Sequence, residues 1–212
     1  MKCYKLTDQN GQTRNNTQWG ENVSHSASGE SGQPLCSNGW IHFYTNPFLA
    51  ALMNPVHADF SSPRLWEAES SGDELHEPLK SGSKTLTTIK EVPLPEISLN
   101  QKIAFGILCA KEVCKDKGWN LWADKWLSGE DRTTESAKVA YNASYAAYYA
   151  ASYAAYYIAA AASYASYATY SAKTASYAAY VNATYSAKTA SYAADANKNI
   201  NFDKIAEKSM KY

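Results

Sequence analysis

Between Ala137 and Ala194 the chain is written almost entirely in alanine, tyrosine and serine, with no glycine, proline, histidine, cysteine or acidic residue. Alanine is the strongest helix former, and nothing in the stretch interrupts a helix. Strand alternation fits poorly, because doublets such as Tyr148-Tyr149 and Tyr156-Tyr157 break a period of two. Stepped at about 100° per residue, the tyrosines from Tyr141 to Tyr192 gather in a fan of roughly 160°, with Tyr157 and Tyr180 just outside it. The phrase ATYSAKTASYAA at Ala168–Ala179 returns unchanged at Ala183–Ala194, fifteen residues on. Four helical turns take about 14.4 residues, so the repeat returns to nearly the same face.

A single helix of this length would run on the order of 85 Å and could not bury its tyrosine face alone. The array must fold back as a bundle or hairpin, or pair with another chain. Fold-back is expected at the polar patches Thr169–Thr174 and Val181–Thr184. A membrane span is excluded because tyrosine and serine stand where leucine, isoleucine or phenylalanine should be. Disorder is excluded by the aromatic content. An ice-binding alanine helix would need evenly spaced threonines, whereas Thr169, Thr174, Thr184 and Thr189 alternate short and long gaps.

The front of the chain has a different grammar. Residues 1–98 hold all seven prolines and all four histidines. Apolar runs at Cys3–Leu6, Trp40–Thr45, Arg64–Glu69 and Lys84–Val92 are each followed by turn chemistry, including Asn10-Gly11 and Ser70-Ser71-Gly72. This predicts four to six strands and one short helix over Pro47–Asn54, with Asn46 as N-cap. The Val92-Pro-Leu-Pro-Glu segment marks a boundary. Behind it come helices over Ser98–Cys114 and Trp119–Leu127, then an N-cap at Asp131 or Thr133, and a last amphipathic helix facing inward with Phe202, Ile205, Ala206 and Met210. The fold class expected is α+β: a small α+β domain over 1–96, then an all-α, Ala/Tyr-rich bundle or hairpin over 97–212.

The net charge is zero, without a Lys/Arg cluster, which argues against direct binding of nucleic acid or a membrane surface. The start has no apolar stretch of the kind that opens a secretory signal, so a cytoplasmic setting is expected. Cys3, Cys36, Cys109 and Cys114 form no CxxC pair and read as reduced thiols. No phosphate loop, GxSxG, HExxH or Cys/His zinc spacing is present, so no catalytic or metal-ligating residue and no cofactor is assigned.

Two resemblances add to this reading. The runs Ile103-Ala-Phe-Gly-Ile-Leu-Cys-Ala, Trp122-Ala-Asp-Lys-Trp-Leu-Ser-Gly-Glu-Asp-Arg-Thr and Ser136-Ala-Lys-Val-Ala-Tyr, followed by the alanine array, resemble the helical domain of immunity proteins of phages and prophages. The front, with Lys2–Lys5, Leu35-Cys-Ser-Asn-Gly-Trp-Ile-His, Leu65-Trp-Glu-Ala-Glu and Lys84–Val92, resembles an uncharacterised phage domain that precedes such arrays. These resemblances imply a phage origin and a helical second domain, and carry no reaction. Gly39-Trp-Ile-His-Phe-Tyr-Thr resembles a signature of ADP-ribosyltransferase-like domains. It implies an alternative in which Tyr4 or Lys5, with His42, Tyr44 and Thr45, holds NAD, and Glu67, Glu69 or Glu91 is the assisting acid.

Each candidate has a plain structural reading beside it. His42 either faces a ligand with Tyr44 or is half-buried and hydrogen-bonded to backbone. His57 and Asp59 could pair as acid and base, or be ordinary loop residues. The tryptophans at 119, 122 and 126 have core spacing. Among the tyrosines, Tyr149, Tyr153, Tyr157 and Tyr164 are the expected partner-binding set, because tyrosine offers broad contact area at low entropic cost. The function expected is a non-enzymatic phage or prophage accessory protein that binds and inhibits a host or toxin protein. Self-association into a homodimer is also expected.

Overall fold

The structure, a computed structural model, describes residues 1–150, 153–170 and 175–212; the side chains of 149, 150, 153–155 and 175–182 lie outside that description. The chain is mixed: an antiparallel sheet first, then several helices. Its contacts divide it into two compact units, Met1–Glu96 and Ile97–Tyr212.

The first unit carries seven strands where the turn signals lead to four to six: β1 (Lys2–Thr7), β2 (Gln12–Thr13), β3 (Thr17–Gln18), β4 (Val23–Ser26), β5 (Ile41–Phe43), β6 (Arg64–His76) and β7 (Ser81–Val92). β2, β3 and β4 are short and polar, which is why their pattern is silent in the sequence. β6 lies between β1 and β7, while β4 and β5 pair with successive stretches of the far edge of β7. Just beyond β5, Tyr44 and Tyr4 exchange two backbone hydrogen bonds of 2.8 Å. The ring β1–β6–β7–β5 therefore closes on itself, which leaves fewer open strand edges. Cys3, Trp19, Phe43, Ala68 and Leu86 fill its core.

The expected turn at Ser70-Ser71-Gly72 is corrected. β6 runs through it to His76, with a register shift between Ser71 and Glu74 and Gly72 at φ +77°. Glycine takes up the left-handed conformation without a side-chain clash, so the strand bulges instead of ending. Helix α1 (Pro47–His57) starts as expected, with the Asn46 side chain accepting from the Phe48 and Leu49 amides. It runs past Asn54 because Pro55 removes one donor in the last turn while Ala58 N–H still reaches the Asn54 carbonyl.

The described residues of the second unit form helices α2 (Leu99–Val113), α3 (Lys117–Ser128), α4 (Thr134–Ala150), α5 (Tyr153–Tyr170), α6 (Ala175–Ala196) and α7 (Phe202–Ser209). α2 is the hub and packs on α3, α5, α6 and α7. A reciprocal cap starts it: Ser98 Oγ accepts from the Gln101 amide at 3.2 Å, and Gln101 Oε1 accepts from the Ser98 amide at 2.8 Å. α4 packs on α5, and α5 on α6, through small side chains; Ser144 and Ser166 stand 3.3 Å apart and each also bonds a carbonyl one turn back.

The expected fold-back at Val181–Thr184 is corrected: these residues lie inside α6. Valine, asparagine and threonine cost only tenths of a kcal/mol each in a helix, while Ala187, Ala190, Ala193 and Ala194 of the same helix are buried. α5 ends at Tyr170 and α6 starts at Ala175, bracketing the other expected point; residues 171–174 lie outside the described residues. The division between α4 and α5 has no glycine or proline to announce it.

Candidate binding surfaces

In the first unit, closure of the strand ring brings together titratable groups far apart in sequence. Tyr4 and Tyr44 are backbone partners across the closure. The His42 ring donates from Nε2 to the Leu35 carbonyl at 2.6 Å, and burial pushes its pKa down. It is thus half-buried and tied to backbone. Tyr44 is buried, so its phenol is pushed well up and stays protonated. Its hydroxyl is hydrogen-bonded to His57 Nδ1 at 3.0 Å. Burial, then Lys80 and His42, push the His57 pKa down to about 3. His57 therefore pairs with Tyr44, and Asp59 sits exposed at φ +55°. Thr45 is exposed. Two of the carboxylates considered as assisting acids are in surface ion pairs: Glu67 with Lys2 at 3.1 Å and Glu91 with Arg64.

Lys5, the alternative to Tyr4 in the NAD reading, is buried. It alternates with Tyr4 on β1 and so faces inward beside Cys3, where burial pushes the thiol up to about 12. The Lys5 ammonium donates to the His42 carbonyl at 2.9 Å and stands 5.0 Å from the Trp19 ring centre. Burial pushes its pKa down to about 8. Its place two residues from Cys3 on the same face of β1 was the available signal.

In the second unit, Trp119, Trp122 and Trp126 are core residues. The Trp119 indole donates to the Ala162 carbonyl at 3.1 Å, and Arg132 lies 4.6 Å over Trp126. Outside that core, α3, α4 and α5 frame a mostly apolar groove of about 870 Å³. Its walls include Leu121 and Val139, which are 60% and 70% exposed. Leu121 falls between the inward tryptophans of α3, and that off-face leucine was the sequence signal for the groove.

A second cleft of about 280 Å³ is lined by Tyr141, Tyr145 and Tyr148 of α4, Ser163, Tyr164 and Tyr167 of α5, and Tyr185 of α6. Its rings form a continuous network. Tyr164 stacks on Tyr185 and Tyr192 at 5.2 Å, Tyr167 meets Tyr185 edge-on at 4.6 Å, and Tyr145 stacks on Tyr148 at 6.2 Å. Of the four tyrosines expected to bind a partner, Tyr164 lines this cleft. Tyr157 is half-buried against Tyr156 and Tyr192, and the side chains of Tyr149 and Tyr153 lie outside the described residues. Among the described residues no group of three or more His, Cys, Asp or Glu could hold a metal ion, and no helix is long and apolar enough to cross a membrane.

No family model, curated protein or solved structure matches this chain.

Proposed function

We propose that this chain is a non-enzymatic accessory protein of a phage or prophage, acting in the cytoplasm of the host cell by binding and inhibiting a host or toxin protein. In this reading the second unit is an all-helical domain that presents the binding surface. The observation that carries it is the tyrosine network of α4, α5 and α6, open to solvent along one cleft and 40% exposed at Tyr145. Aromatic surface of this kind is what protein interfaces concentrate. Support also comes from the first unit. There the polar atoms of His42, Tyr44 and Lys5 are engaged by Leu35, His57 and the His42 carbonyl, an arrangement that serves packing. The phage setting rests on the resemblances in the sequence.

The test is capture from a bacterial lysate with the intact chain as bait, alongside an assay of the purified chain for turnover of NAD. Recovery of one stoichiometric protein whose activity falls on binding is the expected result. Turnover of NAD, with no protein recovered, would overturn the proposal.

A further inference from the structure

We infer that Tyr148 of α4 and Tyr156 of α5 are an oxidative modification site, where a one-electron oxidant joins the two rings as dityrosine. The phenol oxygens of this pair stand 2.6 Å apart and are hydrogen-bonded. The ring centres stand 4.7 Å apart, with the planes tilted by 40°. Oxygens closer than ring centres mean that the rings converge at their phenol ends. The coupling carbons lie there, on either side of the carbon that bears the hydroxyl. Two other close pairs are turned differently. Tyr167 meets Tyr185 edge to face at 68°, and Tyr164 lies flat against Tyr192 at 6°. Coupling joins the rim of one ring to the rim of the other, which neither arrangement presents.

Each phenol gives one electron to the oxidant and one proton to solvent, which leaves two phenoxyl radicals. Whichever hydroxyl is the donor, its proton already has an acceptor at 2.6 Å, which eases its departure. The radicals form one carbon–carbon bond between their ortho positions, and the two displaced ring hydrogens return to the oxygens as hydroxyl protons. Two electrons and two protons leave in all. The oxidant, such as the ferryl haem of a peroxidase, acts at the surface. Tyr145 is 40% exposed and stacks on Tyr148 at 6.2 Å, so it hands the oxidising equivalent inward. The array from Ala137 to Ala194 holds no cysteine, methionine, tryptophan or histidine to compete for it. The bond ties α4 to α5, two of the helices that wall the tyrosine cleft. It needs no protein partner and stands apart from the binding reading.

The experiment treats the dilute full chain with a haem peroxidase and hydrogen peroxide, isolates the single-chain product on a denaturing gel, and reads dityrosine fluorescence. Elastase digestion and tandem mass spectrometry then locate the bond. No Lys or Arg lies between Lys138 and Lys173, so trypsin would leave both tyrosines in one peptide. A Tyr148–Tyr156 link, lighter by two hydrogens, is expected as the main product. Tyr156→Phe keeps the ring and should lose that link and most of the single-chain fluorescence. The same treatment of the native sequence in urea should also lose the link, because the unfolded chain no longer holds the two oxygens together. Fluorescence spread over other pairs, or confined to covalent dimers, would overturn the inference. So would full fluorescence in Tyr156→Phe, or an equal yield of the link in urea.

Discussion

Lys5 and His57 are the two residues whose surroundings carry measurable consequences. The Lys5 ammonium has a carbonyl and an indole ring for company. Its pKa of about 8, against an ordinary 10.5, corresponds to ~3 kcal/mol at most. Below pH 8 both folded and unfolded chains hold the proton, and the buried charge penalises the fold. From pH 8 to about 10.5 the folded chain loses the proton first, so stability should rise with pH. In Lys5→Met that rise should disappear; urea midpoints across this range check it, and an unchanged slope would contradict the placement of Lys5. His57 acts in the same sense at the acid end. The unfolded ring takes a proton near pH 6.5 and the folded ring only near 3. Stability should fall as pH drops through that window, because the buried folded ring resists the proton that the unfolded ring takes up. His57→Gln keeps an acceptor that does not titrate, and should flatten the fall.

Among the elements, α2 is the one on which the second unit turns. A Cβ added at Gly106 would stand 3.2 Å from the Ser186 backbone of α6. Gly106→Leu should therefore destabilise by about 1–3 kcal/mol, as overpacking does. Ser98→Ala removes one half of the reciprocal cap and should cost about 1 kcal/mol. Thermal unfolding of each variant measures both. These positions also show how much of the fold the sequence discloses. The caps at Asn46 and Ser98 and the tryptophan spacing of α3 are local, so they read directly. The Gly72 bulge, the α4–α5 division and the Tyr4–Tyr44 closure depend on contacts between distant residues, which composition does not encode. The tyrosine cleft was half legible: the fan of rings is visible on a helical wheel, but which tyrosines meet across three helices is decided by packing.

For the whole molecule, two surfaces of the second unit remain available to partners, the apolar groove beside Leu121 and Val139 and the tyrosine cleft. Exposed apolar side chains beside a groove favour self-association, and a homodimer is the expected state; sedimentation at micromolar concentration should show a species of twice the 23.3 kDa chain mass. A monomer alone would remove that expectation without touching the cleft. The central claim, that the tyrosine surface is what the molecule uses to bind, is tested most directly by the affinity of the captured partner for two versions of the intact chain, the native sequence and one with Tyr145 and Tyr164 both replaced by alanine. The account predicts a loss of about a hundredfold with the helical content retained. Equal affinity for both versions would contradict it.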